Sequence, residues 1–213
     1  MLTVWGRKTS SNVQALMWCI GELGLDYQRI DIGHRFGGND SEQFLALNPN
    51  GTVPVLQDED NPPLWETGSI LRYLANAYGG EEFWPRDLIA RANVDRWAEW
   101  AKLNVALKFT APIFWRVVRT HSSQRDPSAI RQATDELEHF LRIANARLMK
   151  HSFLAGDELT LADIQFGHVL FRYYDIDIVR SELPALSDYY GKIKNRPAFQ
   201  QHVMVSYEEL RVV

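Results

Sequence analysis

The sequence predicts two domains, an α+β domain at the N-terminus followed by an all-α domain. Three observations support this division. A strand–helix–strand pattern covers residues 2–32, and a second set of two strands and a helix covers residues 53–78. From Asp87 onward only helical periodicity is found. Short strands alternating with helices, followed by helices alone, are typical of an α+β domain joined to a helical bundle.

The first unit begins with a short strand, Leu2–Trp5, that ends at Gly6. A polar segment then leads into a helix whose apolar positions follow the 3.6-residue period and which stops at Gly24. Residues 27–32 form the next strand, which completes a βαβ unit. A short helix capped by Ser41 follows, so the predicted order of the domain is βαβαββα.

The stretch from Asn50 to Tyr78 carries the clearest binding signal. A turn at Asn50 is followed by an apolar run that begins at Val53 and Pro54. Proline has no N–H to donate, so it belongs at the first residue or the edge of a strand. We expect a cis Val53–Pro54 bond that turns the Val53 amide and carbonyl outward, where they can pair with an extended peptide-like ligand.

A helix start after the hairpin adds two further binding positions for such a ligand. Glu66 and Thr67 precede the helical pattern of Ile70, Leu71 and Leu74. Free backbone amides and a hydroxyl at a helix start bind anions, and the Glu66 carboxylate suits an ammonium group. Each feature alone is typical of an ordinary strand or helix start, but the combination predicts a site for a zwitterionic peptide.

The motifs in this stretch resemble those of the glutathione transferase family. The matching residues are 48–56, Glu66–Thr67 and 70–74, and a second match lies downstream at residues 154–163. The resemblance implies a thioredoxin-like first domain with a four-stranded mixed sheet. It divides the chain into a glutathione-binding domain at 1–78, a linker at 79–87 and an all-α helical bundle at 88–213. It also implies a homodimer.

In thioredoxin-like folds, the segment before the first helix holds a reactive thiol. Here that segment holds Ser10, Ser11 and Asn12, whereas Cys19 lies farther along the helix, where a buried structural role is expected. The pattern is similar to the serine-type, theta-like bacterial members of the family, in which a serine is followed two residues later by proline or asparagine. This implies that Ser10, with Asn12, stabilises the glutathione thiolate, with Ser11 as the alternative.

The resemblance also assigns the contacts with the rest of glutathione. They fall on Val53, Pro54, Glu66 and Thr67, with Thr52 at a position where the family often has a basic residue for the glycine carboxylate. In the second domain, large aromatic residues surround Pro112, which is expected to kink or break its helix. The wall of an apolar pocket for the second substrate is expected at Phe109, Trp115 and Arg116.

Two further helical signals lie in the second domain. Residues 127–149 form a long amphipathic helix. Thr160 and Asp163 have the spacing of a capping box, so we expect Asp163 to be structural and not catalytic.

Composition limits the other classes of function. The formal net charge is −4 with no block of basic residues, which argues against nucleic acid or an anionic membrane as a partner. A single cysteine excludes an intrachain disulfide, and no signal peptide or spanning segment is recognised, so a cytoplasmic location is expected. The six histidines show no metal-ligand spacing, so we expect no metal and no cofactor besides glutathione as co-substrate.

Three functional hypotheses remain open at this stage. The leading one is transfer of glutathione to a small hydrophobic electrophile. The second is a glutathione-dependent reductase of disulfides or peroxides, and the third is a non-catalytic binding module with the same fold. The sequence does not identify the electrophile.

Overall fold

The computed structural model describes residues 1–212 and contains one four-stranded sheet in its first domain. The strand order is β2-β1-β3-β4, with β1 parallel to β2 and antiparallel to β3, and β3 antiparallel to β4. This is the mixed sheet that the resemblance implied. The strands are β1 Leu2–Trp5, β2 Tyr27–Ile30, β3 Val55–Asp58 and β4 Leu64–Trp65.

Three helices complete this domain and confirm the predicted βαβαββα order. They are α1 Ser11–Glu22, α2 Glu42–Leu47 and α3 Thr67–Tyr78. The Ser41 hydroxyl caps α2 by accepting the Phe44 N–H at 3.2 Å, as expected. Strand β2 ends two residues before the predicted bound, because its partner β1 ends at Trp5, opposite Ile30.

The rest of the chain is helical, in agreement with the expected all-α domain. Two π-helical segments, Lys102–Ala106 and Thr110–Trp115, interrupt the helix that starts at Leu88. The α-helices are α4 Leu88–Ala101, α5 Leu107–Phe109, α6 Arg116–Val118, α7 Pro127–Leu148, α8 Leu161–Gly167, α9 Leu170–Asp175, α10 Pro184–Ile193 and α11 Pro197–His202.

Pro112 does not break the helix that contains it, so of the predicted kink or break, the break is wrong. A proline inside an α-helix removes a donor and crowds the carbonyl four residues earlier. The wider π turn over Thr110–Trp115 accommodates it, and the chain stays helical to Val118.

The capping box at the start of α8 forms as predicted. The Thr160 hydroxyl accepts the Ala162 N–H at 3.3 Å, and the Asp163 carboxylate accepts the Thr160 N–H at 2.9 Å. Asp163 also accepts the Leu154 N–H at 2.9 Å and the Tyr189 hydroxyl at 3.0 Å. This fully buried carboxylate therefore joins a loop, α8 and α10.

Helix α1 connects the two domains because it packs against both α8 and α11. The Trp18 ring meets Phe199 edge-on, with 4.8 Å between ring centroids. Trp18 Nε1 donates to Glu22 at 2.8 Å, and two 2.7 Å bonds join Glu22 to Arg196. Cys19 is buried in this helix, where burial raises the pKa of its thiol. As expected, Cys19 has a structural role.

Candidate functional site

The loop after β1 lies directly against the residue that precedes Pro54. A Cβ built on Gly6 would come within 2.5 Å of Val13 Cγ2 and 3.2 Å of the Val53 Cβ. Only glycine permits this approach. The close packing places the segment that carries Ser10 beside Val53.

The Val53–Pro54 bond is cis, as predicted from the sequence. Val53 lies just before β3 and outside the strand pairing. Among residues 1–212, neither its N–H nor its C=O has a hydrogen-bond partner. Both main-chain groups are therefore available to an extended ligand.

The turn before Val53 is held by a buried asparagine. The Asn48 side chain donates to the Thr52 carbonyl at 2.8 Å and to the Thr52 hydroxyl at 3.2 Å, and it accepts the Asn50 N–H at 3.0 Å. A second asparagine, Asn39, donates to the Gly51 carbonyl at 2.9 Å. Thr52 is exposed, but its hydroxyl is already engaged within the turn.

The start of α3 offers a set of open backbone amides. Glu66 has φ 67°, which is a left-handed conformation that is uncommon for a residue with a side chain. Its side chain caps nothing, and the first backbone bond of the helix runs from the Ile70 N–H to the Glu66 carbonyl at 3.0 Å. Within residues 1–212, the N–H groups of Thr67, Gly68 and Ser69 have no partner. Three amides and a hydroxyl at this helix start, called the anion site below, are therefore available to bind an anion.

An ion-pair network not recognised in the sequence lies beside this helix start. Arg72 donates to Asp95 at 2.6 Å and to Glu99 at 2.7 Å. Burial lowers the pKa of Arg72, but the hydrogen bonds to the two carboxylates outweigh it and raise that pKa. A Cβ on Gly68 would lie 3.0 Å from the arginine, so this network limits the space behind the anion site.

The start of α1 presents a hydroxyl that the helix does not use. Ser10 occupies the N-cap position, yet its side chain caps nothing. Among residues 1–212, the side chains of Ser10, Ser11 and Asn12 form no hydrogen bond with the protein. The first backbone hydrogen bond of α1 runs from the Gln14 N–H to the Ser10 carbonyl. The loop thus brings a free hydroxyl, a free side-chain amide and open backbone amides to one helix end.

The loop before Ser10 is tied to distant parts of the chain. The Thr9 hydroxyl donates to Glu209 at 2.6 Å, and Arg172 donates to the Thr9 carbonyl at 2.8 Å. Glu209 also pairs with Arg35 at 2.8 Å. Sequence reasoning missed these contacts because the partners lie far apart in the chain and belong to no recognised motif.

The expected wall of the second-substrate pocket is only partly exposed. Trp115 is 45% exposed, and the neighbouring Arg116 is also exposed. Phe109 differs from the expectation, since it is 1% exposed and packs against Phe114 in the core. Phe109 therefore offers no open surface to a substrate. The Arg119 guanidinium covers the Trp115 ring with 4.8 Å to its centroid.

The open groups of the first domain therefore come from three segments: the loop that ends at Ser10, the turn at Val53 and the helix start at Thr67. In the part of the chain that the structure describes, no cluster of three or more His, Cys, Asp or Glu side chains is placed to hold a metal. No helix of residues 1–212 is long and apolar enough to cross a membrane.

Comparison with known proteins agrees with this geometry. The family model for the glutathione S-transferase N-terminal domain matches residues 1–76, and the model for the glutathione S-transferase C-terminal domain matches residues 107–197. The solved theta class glutathione S-transferase of the citrus canker pathogen Xanthomonas axonopodis pv. citri, with glutathione bound, superposes with a TM-score of 0.90. It is 40% identical, and the match covers 96% of this chain and 98% of that one.

Two relatives from Escherichia coli K12 carry different names. Glutathione S-transferase GstB is 34% identical over 206 residues, with 96% of this chain and 99% of GstB covered. Disulfide-bond oxidoreductase YghU is also 34% identical, over 176 residues, with 78% of this chain and 58% of YghU covered. With both family models matched and near full-length similarity, the chain belongs to the glutathione S-transferase family of enzymes.

Proposed function

We propose that the chain transfers the glutathione sulfur to a small hydrophobic electrophile, with the groups described above as its binding site. One observation carries this proposal: the Val53 main chain, the start of α3 and the Ser10 hydroxyl are all without protein partners among residues 1–212 and belong to the same domain. Helix starts leave backbone amides without intrahelical partners, and such amides beside an unpaired main-chain pair and a free hydroxyl suit a ligand that carries carboxylate and amide groups.

Glutathione has the shape and charges that fit these groups. Its cysteinyl part pairs with the Val53 amide and carbonyl as one more strand, next to Pro54. Its γ-glutamyl carboxylate binds the amides and the hydroxyl at Thr67, and Glu66 faces its ammonium group. Thr52 lies toward the glycine residue of the bound glutathione.

Ser10 supplies the chemistry at the sulfur. A thiol with a pKa near 8.5 is mostly protonated at neutral pH, and lowering that pKa by about two units requires about 2.7 kcal/mol. One hydrogen bond to a charged group contributes about 1.5–3 kcal/mol, and a helix N-terminus adds about 0.3–2 kcal/mol. Ser10 therefore stabilises the thiolate and is not itself a nucleophile, with Asn12 assisting and Ser11 as the alternative.

The transfer step needs an apolar surface beside the sulfur. The thiolate attacks an electrophilic carbon, a C–S bond forms, and the leaving group departs with its bonding electrons. Trp115 and Arg116 offer the exposed part of that surface, whereas Phe109 is buried in the core. We also propose a homodimer, a cytoplasmic location and a division at 79–87, where α3 has ended at Tyr78 and α4 begins at Leu88.

A glutathione-dependent reductase is the second candidate, favoured by the similarity to YghU. In that reaction glutathione reduces a disulfide while the protein supplies no thiol, which fits a chain whose single cysteine is buried. A non-catalytic module fits less well, because it gives no use to the free Ser10 hydroxyl. Turnover of mixed disulfides in preference to haloaromatic electrophiles would favour the reductase.

Calorimetry with glutathione tests the binding site directly. Thr67→Ala is expected to weaken binding by about 1–3 kcal/mol, because a bound carboxylate loses a donor. Glu66→Ala should also weaken it. Glu59→Ala is the matched control, since Glu59 is an exposed glutamate with a similar φ of 52° that lies in the hairpin turn after β3. If both site variants bind glutathione as tightly as the parent, the ligand site is elsewhere.

A further inference from the structure

A group of arginines without carboxylate partners surrounds the loop that carries Ser10. No carboxylate of residues 1–212 forms an ion pair with Arg7, Arg119 or Arg172. Glu209 is a carboxylate of this region, and it is already bound by Thr9 and Arg35. The region therefore has more positive than negative charge.

Arg7 is the most exceptional member of this group. Its Nε is buried without an acceptor, and its guanidinium makes no hydrogen bond within residues 1–212. Burial and the charge of Arg119 lower the pKa of Arg7, whereas Glu209 raises it. Buried donors in folded proteins nearly always have an acceptor, so an acceptor from outside the chain is expected here.

Arg172 adds a second buried charge behind the same loop. One of its terminal nitrogens donates to the Thr9 carbonyl at 2.8 Å, but its Nε is buried without a partner. The guanidinium lies 4.6 Å from the Phe114 ring centroid and 5.6 Å from that of Tyr207. Aromatic faces attract the cation but do not neutralise it, so the positive charge remains beside the loop.

Arg119 links this charge to the apolar wall. Its guanidinium lies 4.8 Å from the ring centroid of Trp115, a residue that is 45% exposed. A Cβ built on Gly33 would lie 3.4 Å from Arg7 Nη1, so the Arg7 guanidinium lies beside the loop that follows β2. Burial and the charges of Arg7 and Arg119 lower the pKa of His34 in that loop. Among the described residues, Arg7 and Arg119 therefore both lack a carboxylate partner, and Arg119 lies against the ring of the exposed Trp115.

We propose that the electrophilic substrate carries a carboxylate, which binds Arg7 and Arg119 while its apolar body lies on Trp115. This inference depends on the proposed transferase function and specifies its substrate class. Planar guanidinium groups bind carboxylates through paired hydrogen bonds.

The position of Arg7 assigns this carboxylate to the second substrate. The Arg7 carbonyl accepts the Ser10 N–H at 3.1 Å, so Arg7 belongs to the same turn as Ser10, the residue that the proposed function assigns to the glutathione sulfur. The open amides at Thr67 form a separate proposed binding site for a carboxylate of glutathione. Because glutathione carries carboxylates too, the experiment must separate the two sources.

A matched pair of acceptors provides that separation: a chloronitrobenzoate and the corresponding chloronitrobenzamide. In both reactions the glutathione sulfur bonds to the ring carbon that bears chlorine, chloride leaves with the bonding electrons, and the thiol proton passes to solvent. The measured quantity is kcat/KM for each acceptor divided by its uncatalysed rate constant. The parent is expected to prefer the benzoate.

Arg7→Gln is expected to lower this preference about tenfold, which is the effect of losing one hydrogen bond to a charged group. Arg7→Lys, which keeps the charge, should retain part of the preference for the benzoate. Lys8→Gln is the control, because it removes an exposed positive charge from the next position of the same loop. The preference should not change in that variant.

Four results would overturn the inference. The first is a parent protein that shows no preference for the benzoate over the benzamide. If Arg7→Gln lowers kcat/KM equally for both acceptors, the arginine acts on the thiolate. If Arg7→Gln raises the KM for glutathione and leaves the preference for the benzoate unchanged, the arginine binds glutathione itself. If the parent turns over neither acceptor and calorimetry shows no glutathione binding, the proposed function fails and the inference fails with it.

Discussion

At the scale of single residues, the proposed chemistry depends on a hydroxyl that its own helix leaves free. Serine at an N-cap normally accepts an N–H of the first turn. Ser10 occupies that position without making such a bond, and the amides that follow it are also open. In the proposed function, the start of α1 and the Ser10 hydroxyl act on the same bound sulfur and favour its negatively charged form.

Replacement of Ser10 by alanine should slow the transfer reaction more than it weakens glutathione binding. Loss of one hydrogen bond to a thiolate corresponds to about 1.5–3 kcal/mol, which is about tenfold to a hundredfold in kcat near neutral pH. Steady-state kinetics at saturating glutathione would measure this. Ser11→Ala is the matched control and should be milder, with Asn12→Ala between them. A larger loss in Ser11→Ala would move the assignment by one residue.

Residues close in sequence were predictable, and residues brought together by folding were not. Val53, Glu66 and Thr67 form a compact motif whose local geometry follows from a proline and a helix start. The contacts of Thr9 with Arg172 and Glu209 depend on how the second domain packs, and no local pattern encodes that. The burial of Phe109 was missed for the same reason, because an aromatic residue suits a core and a pocket equally well.

At the scale of secondary-structure elements, helix α8 is the centre of the second domain. Its capping box was predictable because Thr160 and Asp163 are three residues apart. Its packing depends on Gly167, where an added Cβ would lie 2.8 Å from Ile193 Cδ1 and 2.9 Å from the Trp18 ring. The glycine therefore allows α8 to approach α1 and α10 closely.

Gly167→Ala should destabilise the protein by about 1–3 kcal/mol, because the added methyl group overpacks this contact. Gly191→Ala is the matched control in α10, where an added Cβ meets nothing within 4 Å. It should stabilise the protein by about 0.5–1 kcal/mol, as alanine for glycine does inside a helix. Urea denaturation of the two variants measures both values. Equal effects in the two variants would contradict the packing described here.

At the scale of the whole molecule, the two domains share one continuous core. Helix α1 carries Ser10 at its start and packs against α8 and α11 along its length, so the active-site loop is fixed by the second domain. His168, at the end of α8, is buried in this region, and its Nδ1 lies 3.1 Å from the Ile164 carbonyl. Burial first, and then nearby Lys102 and Arg172, lower the pKa of His168 to about 4.

This buried histidine predicts a loss of stability in acid. Between pH 6.5 and about 4, the unfolded chain binds a proton at His168 but the folded protein does not. The free energy of unfolding should therefore fall as pH falls through this range, by up to about 3 kcal/mol from this group. His168→Gln should reduce that slope, whereas His139→Gln, at an exposed position, should not. Parallel pH profiles for the parent and His168→Gln would refute the prediction.

The central claim is that the protein holds glutathione as a thiolate beside Ser10. The most direct measurement is the ultraviolet thiolate absorbance of the glutathione complex as pH is varied, with free glutathione and the Ser10→Ala complex as references. We expect the bound thiol of the parent to ionise about two pH units below free glutathione, and that of Ser10→Ala to ionise closer to the free value. A parent complex that titrates like free glutathione would contradict the account.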